Sequence, residues 1–342
     1  MSQIDLEYYK KAVSRAGVAL LDKNTNKQAE HKAILDNWRA CHIAPLSSFQ
    51  TSLKYQLKKI ENPDALVSQR LKRFPSILSK LARNPGMQLA RMQDIGGIRA
   101  VVKNMREVRD LEYAYKNGTR VFTKVEGGKD YINFPKDSGY RSVHMIFKCK
   151  SGFSIELQIR TLIQHAWATA VETMGTFLDH SLKSSEGPKE WLKFFSLASS
   201  AFAILGSTPR APEHDSYSAN EVYKMLIDKE RELDVIGKLT GFRVVARHIE
   251  NDKRKGHYHL IVLDLEKKNA SIRSFTNSEV DMANSQYSEI EKAIESGANL
   301  QVVLVTSQSI KALKQAYPSY FLDAELFIRR IYSVKRKLER MK

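Results

Sequence analysis

Residues 154–161 alternate strictly between apolar and polar side chains, which predicts a β-strand. One face of this strand would carry three aliphatic residues, Ile155, Leu157 and Ile159. The opposite face would carry, in order, an acid, an amide and a base, namely Glu156, Gln158 and Arg160. A half-buried strand usually has a polar side, so the pattern is open to two interpretations, a solvated surface or a binding surface.

Apolar spacing predicts further elements along the chain. Residues 5–60 are predicted to be helical, and a second helix to have Pro75 in its first turn and to run to about Arg83. A strand is predicted at 98–102. The later pattern consists of helices at 189–204, 219–239, 284–296 and 309–316, and strands at 242–248, 258–265, 270–275 and 300–306, with a hairpin at 266–269. An α/β unit followed by a smaller C-terminal α+β domain fits this order.

Two segments near the predicted strands carry candidate chemistry. Residues 136–140 (Lys-Asp-Ser-Gly-Tyr) have the composition of a tight turn that ends in an aromatic ring. Asp94 precedes the strand at 98–102 and is followed closely by two glycines, which allow a ligand or another backbone to approach. Asp94 and Glu156 on adjacent strands could together hold Mg²⁺, a cation that prefers oxygen ligands.

Four ordered blocks resemble the synthetase domain of the RelA/SpoT family. They are residues 70–80, 94–99, 131–144 and 156–161, within a region of about residues 66–180. The resemblance implies a nucleotidyltransferase-like α/β fold, a mixed sheet with flanking helices. It also implies a pyrophosphokinase reaction, in which the β,γ-pyrophosphate of ATP moves to the 3′-hydroxyl of a second nucleotide, usually GDP or GTP.

The resemblance also implies a role for each matching residue. Asp94 and Glu156 would be the catalytic acids and the Mg²⁺ ligands. Tyr140 would stack on the acceptor base. The ATP donor would be held by Arg70, Lys72, Ser76, Lys80 and Arg99. The acceptor and its phosphates would be held by Lys136, Arg141, His144, Gln158 and Arg160.

Some residues that could carry chemistry are interpreted as structural. Trp167 and Ala168 lie in a helix that lacks the family's Glu-His pair, so they are expected to be packing residues. His214 and Asp215 have no companion acids and are expected to lie in a loop. His257 and His259 would share a strand face, where surface positions are more usual than a metal site.

Charge and composition extend the picture. The chain has 342 residues, 42% of them hydrophobic, and a formal net charge of +17. Lys and Arg exceed Asp and Glu by seven in residues 51–100, which suits a triphosphate, and by six in residues 311–342. That basic end is either a disordered tail or a contact surface for RNA or another acidic partner. Two distant cysteines, a polar N-terminus and no membrane-length apolar run indicate a cytoplasmic protein that does not contact membranes.

The predicted domains are a helical segment at 1–65, the synthetase domain at 66–180, a helix and linker at 181–216, and a regulatory or recognition domain at 217–342. Residues 1–65 are too few for the family's hydrolase domain, so synthesis without hydrolysis is expected. An alternative is a toxin that adds pyrophosphate to the 3′ end of tRNA, with a C-terminal sensor or neutralising domain, for example in phage defence. The C-terminal domain could also bind a protein partner. A third alternative is a degenerate fold that only binds nucleotides, against which the intact Asp94 and Glu156 argue.

Overall fold

The computed structural model describes residues 6–22, 27–117, 122–178, 180, 182, 185–241, 258–264, 269–295, 300–306 and 320–341. The predicted strand at 242–248, the predicted helix at 309–316, most of the predicted hairpin turn, and His257 lie outside these residues. The chain forms two compact units. The first comprises Met1–Ile132 and Arg141–Leu162, and the second Asn133–Tyr140 and Ile163–Lys342. The predicted domain boundaries stay a prediction.

The first unit contains a five-stranded mixed sheet and flanking helices. Its helices are α1 (Lys10–Ala19), α2 (Gln28–Ala40), α3 (Ile43–Lys59), α4 (Phe74–Arg83) and α5 (Met105–Lys116). Its strands are β1 (Leu66–Leu71), β2 (Gly96–Val102), β3 (Phe122–Asp130), β4 (Val143–Cys149) and β5 (Ser154–Thr161). The strand order is β1-β2-β5-β4-β3, in which only β2 and β5 are parallel. The predicted α/β class, a mixed sheet with flanking helices, is confirmed.

The alternation in β5 sets the two faces of this sheet. Ile155, Leu157 and Ile159 are fully buried and pack in one core with side chains of α3 and α5, among them Phe49 and Leu111. The polar face is not a solvated surface, because Gln158 and Arg160 are also buried. This result corrects the first of the two interpretations of the strand.

Helix α4 begins as the sequence predicts. Pro75 lies at the start of the helix, where its missing N–H leaves no hydrogen bond unmade. Ile77 and Leu81 of the predicted apolar stripe are buried, and Leu78 is partly buried against the same core cluster. The opposite side of the helix presents Lys80 to the residues that precede β2.

His42 is a buried histidine that should make the first unit sensitive to acid. Its ring lies against Trp38 and Phe153, and its Nδ1 is 2.8 Å from the carbonyl oxygen of Trp38. Burial lowers the pKa of His42 to about 4, although the hydrogen bond to Trp38 opposes this shift. The unfolded chain therefore binds a proton below pH 6.5 that the folded unit does not bind until about pH 4.

His42 alone should lower the free energy of unfolding of the first unit by up to about 3 kcal/mol as the pH drops from 6.5 to 4. Denaturant titrations at several pH values would measure it. In the His42→Gln variant, which keeps a donor for the Trp38 carbonyl, this part of the pH dependence should disappear. An unchanged pH dependence in the variant would contradict the assignment.

The second unit contains a helical core and a three-stranded sheet. Its helices are α6 (Leu162–Phe177), α7 (Lys189–Leu205), α8 (Ala219–Leu233), α9 (Val280–Glu295) and α10 (Tyr320–Glu339). Its strands are β6 (Tyr258–Asp264), β7 (Asn269–Phe275) and β8 (Leu300–Thr306), which form an antiparallel sheet in the order β7-β6-β8. The predicted C-terminal α+β character is confirmed for these elements.

Several predictions for this unit need correction. The predicted helix at 219–239 is interrupted once: α8 ends at Leu233, Asp234 adopts the left-handed conformation with φ of 46°, and residues 235–241 are helical again. The basic end of the chain is not a disordered tail, since α10 continues to Glu339. His214 lies in the connection between α7 and α8, as predicted, where it is buried in a short 3₁₀ turn. His259 is buried and not at the surface, with its Nδ1 3.0 Å from the Ser274 hydroxyl.

Trp167 is a packing residue, as predicted. It is buried, and its indole N–H donates to the carbonyl oxygen of Phe195 at 2.8 Å. Within the described parts of the chain, every helix is too short or too polar to cross a membrane.

Candidate active site

The polar face of the sheet in the first unit brings several predicted site residues to neighbouring strands. Gln158 of β5 has Arg99 of β2 as its partner on one side and His144 of β4 on the other. One step along the sheet, Glu156 is opposite Gly97, which is itself opposite Arg70 of β1. Since residues two apart on a strand share a face, these side chains form two adjacent rows.

Glu156 lies at the centre of a hydrogen-bonded chain. His144 Nδ1 is 2.8 Å from Glu156 Oε1, and the amide of Gln158 donates to Glu156 Oε2 at 2.7 Å. Arg160 continues the chain by donating to the amide oxygen of Gln158 at 3.1 Å. Burial alone would raise the pKa of Glu156, but the hydrogen bonds and charges of His144, Gln158 and Arg70 lower it to about 2. Glu156 is therefore an ionised, well-oriented carboxylate at neutral pH.

Asp94 lies between two lysines that sequence analysis placed on the ATP side. Lys72 Nζ is 2.9 Å from Asp94 Oδ2, and Lys80 Nζ is 2.9 Å from Asp94 Oδ1. Burial raises the pKa of Asp94, but the two ammonium groups outweigh it and hold the pKa below its ordinary value. Burial and the positive charges of Lys80 and Arg70 all lower the pKa of Lys72. The charge and hydrogen bond of Asp94 oppose this shift but do not cancel it. The cluster concentrates cations suited to phosphate around one ionised acid.

Arg70 links the two acidic centres electrostatically. Its charge lowers the pKa values of both Glu156 and Lys72, so it lies near both clusters. Between Arg70 and Glu156 lies Gly97, where an added Cβ would meet only atoms of Arg70, at 3.9 Å. The polar face of the sheet therefore has room for an added atom at Gly97, although the glycine itself is buried.

The neighbouring glycine has a different reason to be small. A Cβ on Gly96 would lie 2.9 Å from the side chain of Ile155 and 3.3 Å from that of Leu46. Gly96 thus allows close packing of the core, whereas Gly97 keeps space on the polar face. The sequence predicted that a ligand or another part of the chain would approach this pair of glycines, but it did not show that Gly96 and Gly97 have different roles.

The remaining predicted site residues of the first unit differ in exposure. Arg99, Arg141 and Arg160 are buried, and Ser76 is exposed in the first turn of α4. The guanidinium of Arg141 donates to the carbonyl oxygen of Ile132 at 3.5 Å, and burial lowers the pKa of Arg141 to about 10. Arg141 is thus held against the backbone next to the loop of residues 133–140.

Lys136 and Tyr140 belong to the second unit. The N–H of Gly139 donates to the Lys136 carbonyl at 2.8 Å, and Gly139 has φ of +82°, which confirms the predicted tight turn. Lys136 Nζ lies 5.4 Å from the centroid of the Tyr140 ring, within the range of a cation–π contact. The sequence did not indicate that this loop would be bound by helix α7, through Ser196 and Ser199.

Two carboxylates of the first unit have the chemistry that Mg²⁺ requires of its ligands. Asp94 and Glu156 are both ionised carboxylates, the ligand type that Mg²⁺ takes together with substrate phosphates. Each already contacts a cationic or N–H donor group, so each is oriented for a positive partner. The donor chemistry fits this ion. Within the described ranges, no group of three or more His, Cys, Asp or Glu side chains could hold a metal ion.

Comparison with known proteins identifies the central part of the chain. Residues 69–176 match the family profile described as a region found in RelA/SpoT proteins. The GTP pyrophosphokinase YjbM of Bacillus subtilis is 34% identical over 140 residues, which cover 37% of this chain and 60% of YjbM. The GTP pyrophosphokinase YwaC of the same organism is 25% identical over 170 residues, 44% of this chain and 80% of YwaC.

Solved structures of small alarmone synthetases align with about half of this chain, at TM-scores below 0.5. The small alarmone synthetase 1 from Bacillus subtilis, crystallised with its product pppGpp, is 28% identical and aligns with a TM-score of 0.41. The alignment covers 50% of this chain and 94% of that one.

Residues 69–176, less than half of the chain, therefore match the RelA/SpoT family model, in the region where the four sequence blocks predicted the resemblance. The match lies within the predicted synthetase region of residues 66–180. It includes every predicted site residue, from Arg70 to Arg160.

Proposed function

We propose that this chain is an ATP-dependent pyrophosphokinase that moves the β,γ-pyrophosphate of ATP to the 3′-hydroxyl of a guanosine nucleotide. In this reaction the 3′-oxygen forms a bond to the β-phosphorus of ATP, the bond from that phosphorus to the α,β-bridging oxygen breaks, and AMP leaves. The hydroxyl proton is released. The observation that carries the proposal is the pair of ionised acids, Asp94 and Glu156, set among cations within a RelA/SpoT segment.

The geometry supports positioning and charge neutralisation as the source of catalysis. Phosphoryl-type transfer needs cations and a metal ion more than it needs a strong nucleophile from the protein. Lys72, Lys80 and Arg70 supply the positive charge on the donor side. Mg²⁺ held by Asp94 and Glu156 would neutralise charge on the transferred pyrophosphate. A pKa of about 2 makes Glu156 a weak base, so it favours the role of metal ligand over that of general base.

The same chemistry could act on a macromolecule. The alternative acceptor is the 3′ end of tRNA, and the net charge of +17 together with the basic end of α10 favours contact with nucleic acid. In this alternative, residues 217–342 would act as a sensor or neutralising domain. The proposal for either acceptor is synthesis without hydrolysis.

One assay separates the acceptors. The chain is incubated with γ-labelled ATP, Mg²⁺ and, in separate reactions, GDP, GTP, AMP or tRNA. Label in GDP or GTP supports the guanosine nucleotide, and label in tRNA alone supports the alternative. If none of the four acquires label, the proposed activity is wrong. Chelation of Mg²⁺ by EDTA should abolish the transfer that is seen.

Tyr140→Ala should weaken use of the acceptor about tenfold or more, because stacking of a base on an aromatic ring contributes roughly 1–3 kcal/mol. KM for the acceptor should rise while KM for ATP changes little. Tyr113→Ala is a matched control, since Tyr113 is 71% exposed on α5. Equal losses for ATP and acceptor would show that Tyr140 has a structural role instead.

A further inference from the structure

The loop of residues 133–140 is bound to helix α7 by two serines. Ser196 Oγ donates to the carbonyl oxygen of Asp137 at 2.8 Å, and Ser199 Oγ donates to that of Gly139 at 2.5 Å. Both serines are almost fully buried, at 2% and 3% exposure. The hydrogen bond of Ser199 is buried and that of Ser196 is partly buried, so the loss of the Ser199 hydroxyl would leave the carbonyl of the buried Gly139 unsatisfied.

Gly139 makes this contact close. A Cβ at Gly139 would lie 2.6 Å from the Cβ of Ser199 and 3.2 Å from the Cα of Ser196. The backbone of the loop therefore lies directly on α7 with no room for a side chain between them. Tyr140 follows immediately, so the position of its ring within this unit depends on α7.

A cavity of about 680 Å³ lies beside Tyr140 within the second unit. Its apolar walls include the aromatic side chains of Trp167 and Phe195, and its charged and polar lining includes Lys193, Glu213 and Tyr217. The volume lies in the range of small-molecule sites, which combine apolar walls with a few polar groups. A purine base has two apolar faces and a hydrogen-bonding edge, which suits such a lining.

Most of this cavity wall lies outside the family segment. Tyr140 and Trp167 fall within residues 69–176, whereas α7 and residues 213–217 follow it. Glu213 and Lys193 are exposed residues near His214. The Glu213 carboxylate is 3.2 Å from His214 Nε2, and Lys193 is among the charges that act on His214. These side chains are available to a ligand's polar edge.

We propose that helix α7 and residues 213–217 complete a binding site for the base of the acceptor nucleotide around Tyr140. Ser196 and Ser199 are positioning residues that hold the loop carrying Tyr140, and Lys193, Glu213 and Tyr217 influence which base is accepted. This inference rests on the proposed function. It assigns the choice of acceptor to residues beyond the family segment.

Equilibrium binding to the full chain tests the site without requiring turnover. Calorimetric titration with GDP, AMP and a non-hydrolysable ATP analogue is carried out on wild type, Ser196→Ala and Ser199→Ala. Each serine variant should raise the Kd for GDP about three- to tenfold, the effect of one hydrogen bond, and leave the Kd of the ATP analogue unchanged. Ser333→Ala is the matched control, because Ser333 is a half-buried helical serine whose solvent-exposed hydrogen bond goes to the carbonyl of Arg329 in its own helix.

The residues that line the cavity beside Tyr140 are tested separately with Tyr217→Ala and Glu213→Gln. Both substitutions change exposed side chains and should leave folding intact. Each should change the ratio of the Kd values for GDP and AMP by threefold or more. Equal weakening of GDP and the ATP analogue in the serine variants, or an unchanged GDP-to-AMP ratio in both wall variants, overturns the inference. Failure of the wild type to bind either GDP or AMP also overturns it.

The binding and transfer experiments together distinguish a wrong base-binding site from a wrong activity. If the wild type binds GDP with the expected dependence on Ser199 and Tyr217 but transfers no pyrophosphate, the site stands and the activity is wrong. If pyrophosphate is transferred but these variants behave like wild type, the activity stands and the site is wrong.

Discussion

Replacing Glu156 with glutamine should reduce pyrophosphate transfer by about 10²- to 10³-fold, the effect of removing one transition-state electrostatic contact. The amide keeps the size of the carboxylate, but it loses the negative charge that faces His144 and would hold Mg²⁺. The measurement is kcat with saturating ATP and acceptor. The control is Glu126→Gln, because Glu126 is an exposed acid on β3 of the same sheet.

Asp94→Asn should have an effect of similar size, and the double variant decides whether the two acids act together. If both acids hold one Mg²⁺, the double variant should be little worse than either single variant, because residues that act as a unit are not additive. Losses that multiply would instead indicate two independent roles. A Glu156→Gln or Asp94→Asn variant with nearly wild-type activity would remove the assignment altogether.

Replacing Phe327 with alanine should lower the free energy of unfolding of the second unit by about 3–5 kcal/mol, the usual cost for a buried phenylalanine. Phe327 of α10 is fully buried, and its ring centroid is 5.4 Å from that of Phe202 and 6.1 Å from that of Phe195, both in α7. The alanine would leave a cavity between the last helix and the helix that holds the loop of residues 133–140.

Denaturant unfolding monitored by far-UV circular dichroism measures this cost. Tyr332→Ala is the control in the same helix, since Tyr332 is 44% exposed and should cost well under 1 kcal/mol. Similar small losses in both variants would mean that α10 does not stabilise the helical core.

The sequence predicted two strands of the five-stranded sheet, β2 and β5, because their pattern is local. Alternation in residues 154–161 placed Ile155 and Leu157 on the core face correctly, and the two glycines that begin β2 indicated a close approach. The pattern could not show what covers the other face. Gln158 and Arg160 are buried, and only tertiary packing decides whether a polar face meets water.

The hydrogen bonds from α7 to the loop of residues 133–140 could not be predicted from the sequence, for a different reason. Ser196 and Ser199 lie in a Ser-rich stretch of an apolar helix, about sixty residues from the carbonyls they bind. Nothing local distinguishes such serines from ordinary helical ones. The basic end of the chain was also undecided from sequence, because a charged run fits either a disordered tail or a contact surface. Phe327 and Ile331 give this segment a buried face, and it folds as the helix α10.

The most direct test of the proposed activity uses ATP labelled at two different positions. The chain is incubated with Mg²⁺, an unlabelled acceptor and ATP carrying ³²P at either the α or the γ position, and the products are separated by chromatography. Transfer of the β,γ-pyrophosphate predicts γ-label in the acceptor product and α-label in AMP. If the α-label remains in ADP or passes to the acceptor, or if the γ-label appears only as free phosphate, the chain is not a pyrophosphokinase.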